Sequence, residues 1–392
     1  MQYRSDRQGR PLSVLGYGCL RFPQTRGRID LAETERQVLA AIEAGVNYFD
    51  TAYIYSGSEE ALGEILARNR CRDRVHITTK LPHYLIKKPD DLERCFQEQL
   101  RRLRTDHVDY YLMHMLPDLS TWRRLESLGV PEWLAGKRAS GQIGGVGFSY
   151  HGNTNSFLEL LEAYDWDLCQ IQYNYLDEHT QAGRRGLQRA AERGIPVVIM
   201  EPLRGGRLVH GLPVAAVRRF QDARPQRSPA EWGLRWLWDQ SEVTVVLSGM
   251  NSLEMVRENC RAADEARPGQ LTAEDFRMFE DVKASINAKI KVGCTGCGYC
   301  MPCPHGVDIP GSFRCYNARY TDGLYTAMKE YFLCTTLRGR QSNAGRCVGC
   351  GRCERRCPQA IPIRQKLHEA ARVLENPAYH IVRAAARLIG RF

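Results

Sequence analysis

From residue 12 to residue 266 the chain alternates between two patterns. Short runs rich in Val, Ile, Leu, Phe and Tyr fall at 14–20, 46–50, 75–79, 108–113, 144–148, 168–173, 196–200 and 243–247. Between or after them lie stretches whose apolar positions recur every three or four residues, at 31–44, 91–104, 125–139, 156–163, 182–193, 229–238 and 253–266. The first pattern predicts strands and the second amphipathic helices. Runs such as VVIM and VTVVL are apolar on both faces, as expected of parallel strands covered by helices. Eight strands alternating with helices over about 250 residues predict an α/β fold of the (β/α)8 TIM-barrel kind. An open doubly wound sheet is the alternative, but no GxGxxG follows the first strand.

Fifteen cysteines among 392 residues change that single-domain picture. Residues 1–293 hold only Cys19, Cys71, Cys95, Cys169 and Cys260, widely spaced, and the other ten crowd into 294–357. The shift predicts a barrel over 1–285, a cysteine-rich domain over 286–375 and a basic amphipathic helix over 376–392. Hydrophobic residues at 43% and charged residues at 26% fit a folded globular chain. No apolar stretch reaches the roughly 20 residues of a membrane helix, and MQYRSDRQGR lacks the apolar core of a secretion signal, so a cytoplasmic protein is expected. The net charge of +10 comes from scattered, mostly Arg residues without a long basic block. It reads as a solvated surface, with no nucleic-acid partner, and the final helix as one that docks on a domain rather than on a membrane.

In a barrel of this kind chemistry sits at the C-terminal ends of the strands. Those ends carry Asp50, Lys80, His114, Ser149, Gln170 with Gln172, Glu201 and Ser248, with Tyr55 just after the second strand. The segment GVNYFDTAYIYSGSEEALGEIL, the ITTK that ends the third strand and the DYYLMH that ends the fourth resemble the aldo-keto reductase family over about 270 residues. The resemblance implies that Tyr55 is the general acid, Lys80 its tuner, Asp50 the partner of Lys80, and His114 the group that orients a substrate carbonyl. The chemistry agrees: a phenol with a pKa near 10 is a poor donor at neutral pH, and a nearby ammonium held by a carboxylate lowers it. The substrate class implied is a small carbonyl or alcohol.

The same resemblance assigns cofactor contacts to Ser149 in GFSY, Gln170, Met200 and Gly205 in VVIMEPLRGG, and Ser248, Glu258 and Asn259 in the segment LSGMNSLEMVRENC. Three positions depart from the family. Tyr150 stands for an Asn, Met200 for an aromatic residue that stacks on nicotinamide, and Met255 for an Arg that grips a 2′-phosphate. Losing a bidentate Arg weakens phosphate affinity, so NADPH, NADH, a flavin or no nicotinamide all stay open.

Beyond the barrel, CTGCGYCMPCP spaces Cys294, Cys297, Cys300 and Cys303 by two residues, and RCVGCGRCERRCP sets Cys347, Cys350, Cys353 and Cys357 in the C-x2-C-x2-C-x3-C-P spacing of bacterial ferredoxins. Zinc ribbons pair two C-x2-C units instead. In two-cluster ferredoxins the fourth Cys of each run ligates the other cluster. This implies one [4Fe–4S] on Cys294, Cys297, Cys300 and Cys357 and another on Cys347, Cys350, Cys353 and Cys303, although the first run is one residue shorter. The helical character of 312–334 predicts a mainly helical ferredoxin-like domain, with Cys315 and Cys334 as core thiols. The whole resembles aldo-keto reductases with a C-terminal two-cluster domain. That implies an oxidoreductase exchanging electrons between clusters, site and an electron-transfer protein. The alternatives are a one-electron reductase without nicotinamide and a redox-sensing or regulatory subunit.

Overall fold

The computed structural model describes residues 1–294, 296, 298–357 and 359–388. Eight parallel strands close a barrel in chain order: β1 Leu15–Gly18, β2 Tyr48–Asp50, β3 His76–Leu81, β4 Val108–Met113, β5 Ile143–Tyr150, β6 Leu168–Gln172, β7 Val197–Met200 and β8 Val243–Ser248. β8 pairs with β1 through Val246 and Leu15, so the sheet has no edge. Each predicted strand is present within a few residues. Helix 229–238 matches Pro229–Trp238, with Ser228 accepting from the Glu231 amide and Pro229 at the first helical position.

Alternation along the strands sorts side chains into two cores. Tyr48, Tyr110, Leu112, Leu168, Val198, Val245 and Leu247 fill the barrel interior, with Leu12 among them. A larger cluster joins the outer strand faces to the helices. Leu12 comes from an antiparallel hairpin, Tyr3–Ser5 with Pro11–Ser13, that the periodicity did not reveal. This hairpin supplies Asp6, which accepts a hydrogen bond from Tyr110 Oη (2.6 Å), and Arg10, whose guanidinium lies 4.7 Å from the Tyr110 ring centroid. The barrel is therefore plugged from one end, and the strand C-termini form the open mouth.

Two helical readings in the barrel needed correction. The single helix expected at 125–139 is two, Leu119–Ser127 and Val130–Ala139, because Gly129 takes φ +76° between them. A further helix, Ser58–Arg68, follows β2 and buries Leu62, Ile65 and Leu66. Its Gly63 packs so closely that a Cβ would lie 2.4 Å from the Arg102 carbonyl oxygen.

The second domain carries helices Ile309–Thr321, Leu324–Tyr331, Ile363–Leu374 and Pro377–Leu388 around its own apolar core. The helical stretch predicted at 312–334 is broken at Gly323, where φ is +92°, and ends in a wide turn over Phe332–Thr336. The last helix docks through Tyr379, which lies buried against Tyr331 and Phe332, while Ile381, Val382 and Leu388 face outward. Three arginines join the two domains. Arg204 bridges Asp177 of the barrel (3.0 Å) and Asp322 (2.9 Å), Arg207 donates to Thr326 Oγ1 (2.6 Å), and Arg338 donates to the Pro117 carbonyl (3.1 Å) and Ser156 Oγ (3.1 Å). No helix among the described residues is long and apolar enough to cross a membrane.

Candidate active site and cysteine loops

At the barrel mouth, Lys80 Nζ donates to Asp50 Oδ1 (2.6 Å) and to the Thr51 carbonyl (2.8 Å). The other Asp50 oxygen accepts from Gln170 Nε2 at 2.9 Å. Because β2 and β6 are not neighbours, that bond crosses the barrel interior. Above the pair, Lys80 Nζ lies 5.0 Å from the Tyr55 ring centroid, and the His114 ring meets Tyr55 edge-on at 5.9 Å. All four residues proposed for catalysis thus come together, from β2, β3, the end of β4 and the turn after β2. His114 Nδ1 has no hydrogen-bond partner among the described residues.

Burial decides the protonation states. It drives the pKa of His114 well below the ordinary histidine value, and the nearby Lys80 charge adds to this, so His114 is neutral. Burial opposes the charge of Lys80, but Asp50 and Tyr55 together outweigh it and raise the lysine. For Tyr55 the sequence reading needs amending. Burial lifts the phenol and Asp50 adds to the lift; the pull of Lys80 lowers it but does not win, so the group sits above its ordinary value. The lysine charge is already spent on Asp50. The outcome is a phenol that keeps its proton at neutral pH.

A support layer escaped the sequence reading. Glu59 accepts from Thr79 Oγ1 (2.6 Å) and Gln99 Nε2 (2.9 Å) and pairs with Arg102 (3.2 Å), while Gln99 also donates to the Lys80 carbonyl (3.2 Å). In sequence, Glu59 stands only within the segment GVNYFDTAYIYSGSEEALGEIL that carries the family resemblance, with no role of its own.

The residues assigned to a cofactor are dispersed among several tasks. Ser149 Oγ accepts from the Met115 amide (2.8 Å), and Gln170 is occupied by Asp50. Met200 packs half-buried on the barrel interior. Ser248 Oγ accepts from Asn259 (3.1 Å), tying β8 to helix Leu253–Asp264, on which Glu258 and Met255 are exposed. Tyr150 is packed on Phe157 and lies on the helix side of its strand. Gly205, at φ +66°, accepts from Arg21 Nη1 at 3.3 Å. Arg21 also covers Gly249, where a Cβ would lie 2.9 Å from its Cδ, so this one arginine spans the mouths of β1, β7 and β8. Nothing in its local sequence flags it.

In the second domain Cys294, Cys300, Cys303, Cys347, Cys353 and Cys357 are partly buried against the apolar core, and Cys350 is exposed. Cys297 lies outside the described residues. Cys294 and Cys300 of the first run line one cavity together with Cys357, the last thiol of the second run, and its walls include Ile309, Phe313, Ile361 and Ile363. Gly296, Gly298, Gly349 and Gly351 take φ between +70° and +78°, which turns the loop backbone round the thiols. Among the described residues no three His, Cys, Asp or Glu side chains gather as ligands of a single ion. A cube with four irons spreads its thiolates more widely. An all-thiol donor set with apolar walls fits an iron–sulfur cluster. Cys315 and Cys334 stay outside this set, both buried, with Arg314 Nη2 donating to their sulfurs at 3.7 and 3.5 Å.

Comparison with known proteins adds to this. Residues 14–284 match the aldo/keto reductase family and residues 293–361 match a 4Fe-4S dicluster domain. An aldo-keto reductase of Mycolicibacterium vanbaalenii is 32% identical over 283 residues, covering 70% of this chain and 88% of that protein. A D-galacturonate reductase of Fragaria ananassa is 27% identical, covering 63% of this chain and 81% of its own length. Among solved structures, an aldo-keto reductase of Bacillus halodurans superimposes with a TM-score of 0.59 at 23% identity, covering 72% of this chain and 96% of that one. One from Klebsiella pneumoniae, in complex with NADP and acetate, gives a TM-score of 0.58 at 23% identity, with 72% and 96% covered. These two show the fold.

Proposed function

Because the chain belongs to the aldo/keto reductase family and continues into a 4Fe-4S dicluster domain, we propose that this oxidoreductase interconverts a small carbonyl compound and its alcohol at Tyr55, Lys80, Asp50 and His114, with electrons exchanged through the second domain. The observation that carries the reading is the buried Lys80–Asp50 pair beneath Tyr55, with a neutral His114 at its edge. Tyr55 holds its proton and delivers it to the carbonyl oxygen. Asp50 and Thr51 fix the Lys80 ammonium, so the developing charge on the phenol oxygen meets a cation that does not move. Neutral His114 donates to the carbonyl oxygen from one ring nitrogen and orients it.

The Klebsiella relative binds NADP, and Ser149, Gly205 and Arg21 are the residues here best disposed toward a dinucleotide. In the second domain, Cys294, Cys297, Cys300 and Cys357 would hold one cluster and Cys347, Cys350, Cys353 and Cys303 the other. A bound nicotinamide supplies hydride, and a bound cluster supplies single electrons. Tyr55→Phe is expected to abolish turnover, by about 100-fold or more, with iron content unchanged. Equal activity in that variant would remove Tyr55 from the reaction.

A second reading is one-electron reduction without nicotinamide. It is favoured by Gln170 being committed to Asp50 and by Tyr150 lying on the helix side of β5. An anaerobic visible spectrum before and after NADH or NADPH separates the two. Bleaching of cluster absorption supports the nicotinamide reading; bleaching by dithionite alone supports the second.

A further inference from the structure

The two cysteine loops face different surroundings. Residues 291–310, around the first run, contain Lys291 and Asp308 as their only charged side chains besides His305. This loop is pressed on the barrel: a Cβ at Gly296 would lie 2.5 Å from the His179 carbonyl oxygen. Gly298 and Met301 line a cleft shared with Asn153, Gln181 and Arg184 at the barrel mouth.

Around the second run, residues 340–366 hold six arginines and Lys366 against one acid, Glu354. Glu354 is already taken, accepting from the Arg364 amide (2.8 Å) and its Nε (2.9 Å). Arg346, Arg352, Arg355 and Arg356 are exposed, and none has a carboxylate partner among the described residues. Between them stand the exposed thiol Cys350 and Val348, which is 63% exposed. A cluster with four thiolates and a 2+ core brings a charge of about −2, which leaves this face positive.

We propose that this arginine-ringed face around Cys350 is a docking surface for an acidic one-electron carrier protein. The proposal rests on the reading that the second domain holds clusters. An exposed ligand loop ringed by exposed arginines offers a short path for an electron and a charged landing site, whereas the first loop is pressed on the barrel at Gly296 and carries no arginine. The arginines supply what an acidic carrier needs: long-range attraction for a fast, weak, salt-sensitive encounter. Val348 gives the small apolar contact at its centre. The exchange moves one electron, leaving the carrier oxidised by one and this protein reduced by one, with no atom transferred.

The test is calorimetric titration of the iron-loaded protein with oxidised plant-type [2Fe–2S] ferredoxin, an acidic carrier. It is run at about 25 mM and about 300 mM NaCl, on either side of effective screening. Binding is expected at low salt and about tenfold weaker at high salt. The triple variant Arg352→Glu, Arg355→Glu, Arg356→Glu should weaken low-salt binding by about tenfold or more, with iron content and visible spectrum unchanged, and the matching Lys variant should retain it. Wild-type affinity in the triple Glu variant, or no binding at low salt, overturns the proposal. So does a short DNA duplex that binds more tightly and is lost with the same variant, which would make this a nucleic-acid surface. A wild-type protein that takes up no iron overturns both the docking surface and the two-cluster reading. Iron uptake without ferredoxin binding removes the docking surface alone.

Discussion

Lys80 at the barrel mouth meets a carboxylate, a backbone carbonyl and a phenol ring from its own chain, whereas Arg352, Arg355 and Arg356 around Cys350 are exposed and pair with no carboxylate among the described residues. The thiols differ in the same way from the groups proposed for catalysis. Asp50 is held in place by Lys80 and Gln170, while Cys294, Cys300 and Cys357 line a cavity walled by apolar side chains. One region is held by partners within the chain, and the other, on the two-cluster reading, is expected to be held by what it binds. Iron removal should break the comparison most sharply. With chelator, hydrogen exchange in helices Ile309–Thr321 and Ile363–Leu374 should rise towards the unfolded rate, because these helices wall the thiol cavity. Strands β1–β8 should keep their protection. Equal loss in both regions would mean that the barrel leans on the clusters.

At the mouth the largest expected effect comes from Lys80→Met. It leaves Asp50 buried with only Gln170 as a partner, and should cost about 3 kcal/mol of stability as well as most turnover. Arg355→Glu, equally a change of one cation, should alter stability by less than about 0.5 kcal/mol. Urea denaturation of both variants measures the contrast. If both cost the same, the burial argument for the mouth fails.

Acid should also act on the barrel first. Burial lowers His83 to about 4 and His151 to about 4, and also pushes His114 well below the ordinary histidine value. An unfolded histidine takes a proton near pH 6.5, so in this window the unfolded state binds more protons. The stability these groups contribute is full above pH 6.5 and is lost as pH falls from there towards 4. At pH 5, His83 alone should cost about 2 kcal/mol. Thermal melts between pH 7 and pH 5 should slope accordingly, and His83→Gln should flatten the slope. A slope that does not change removes His83 from this account.

The barrel was legible because its signals are local and repeated. Strand runs, helix periodicity and the residues at three successive strand ends each carry the pattern within a few positions. Helix 125–139 was misread because Gly129 is apolar-neutral in periodicity, and only its positive φ breaks the helix. Arg21, Glu59 and Arg204 were illegible for a different reason. Their roles exist only once loops distant in sequence meet, at Gly205 and Gly249, at Thr79 and Gln99, and at Asp322. The basic residues read as scattered along the whole chain. They separate into one arginine-rich face only when the neighbouring acid, Glu354, is seen to be spent on Arg364.

The seam between the regions gives the most local expected effect and the finest test of how independent they are. Arg338 is buried to 4% exposure; it is anchored in the second domain through the Cys334 carbonyl and Ser342 Oγ, each at 3.4 Å, and reaches the barrel at Pro117 and Ser156. Its fork spans two acceptors on the far side, which a lysine ammonium cannot match. Arg338→Ala strips donors from buried carbonyls and should cost about 1–3 kcal/mol. The loss should appear as faster hydrogen exchange at residue 118 and in residues 153–156, with β1–β8 and the iron content unchanged. Arg338→Lys should recover only part of it. Arg204 forms a second bridge across the same seam, between Asp177 and Asp322. If Arg338→Ala leaves exchange at the seam untouched, Arg204 holds the domains together, and Arg204→Ala should then produce the effect predicted for Arg338.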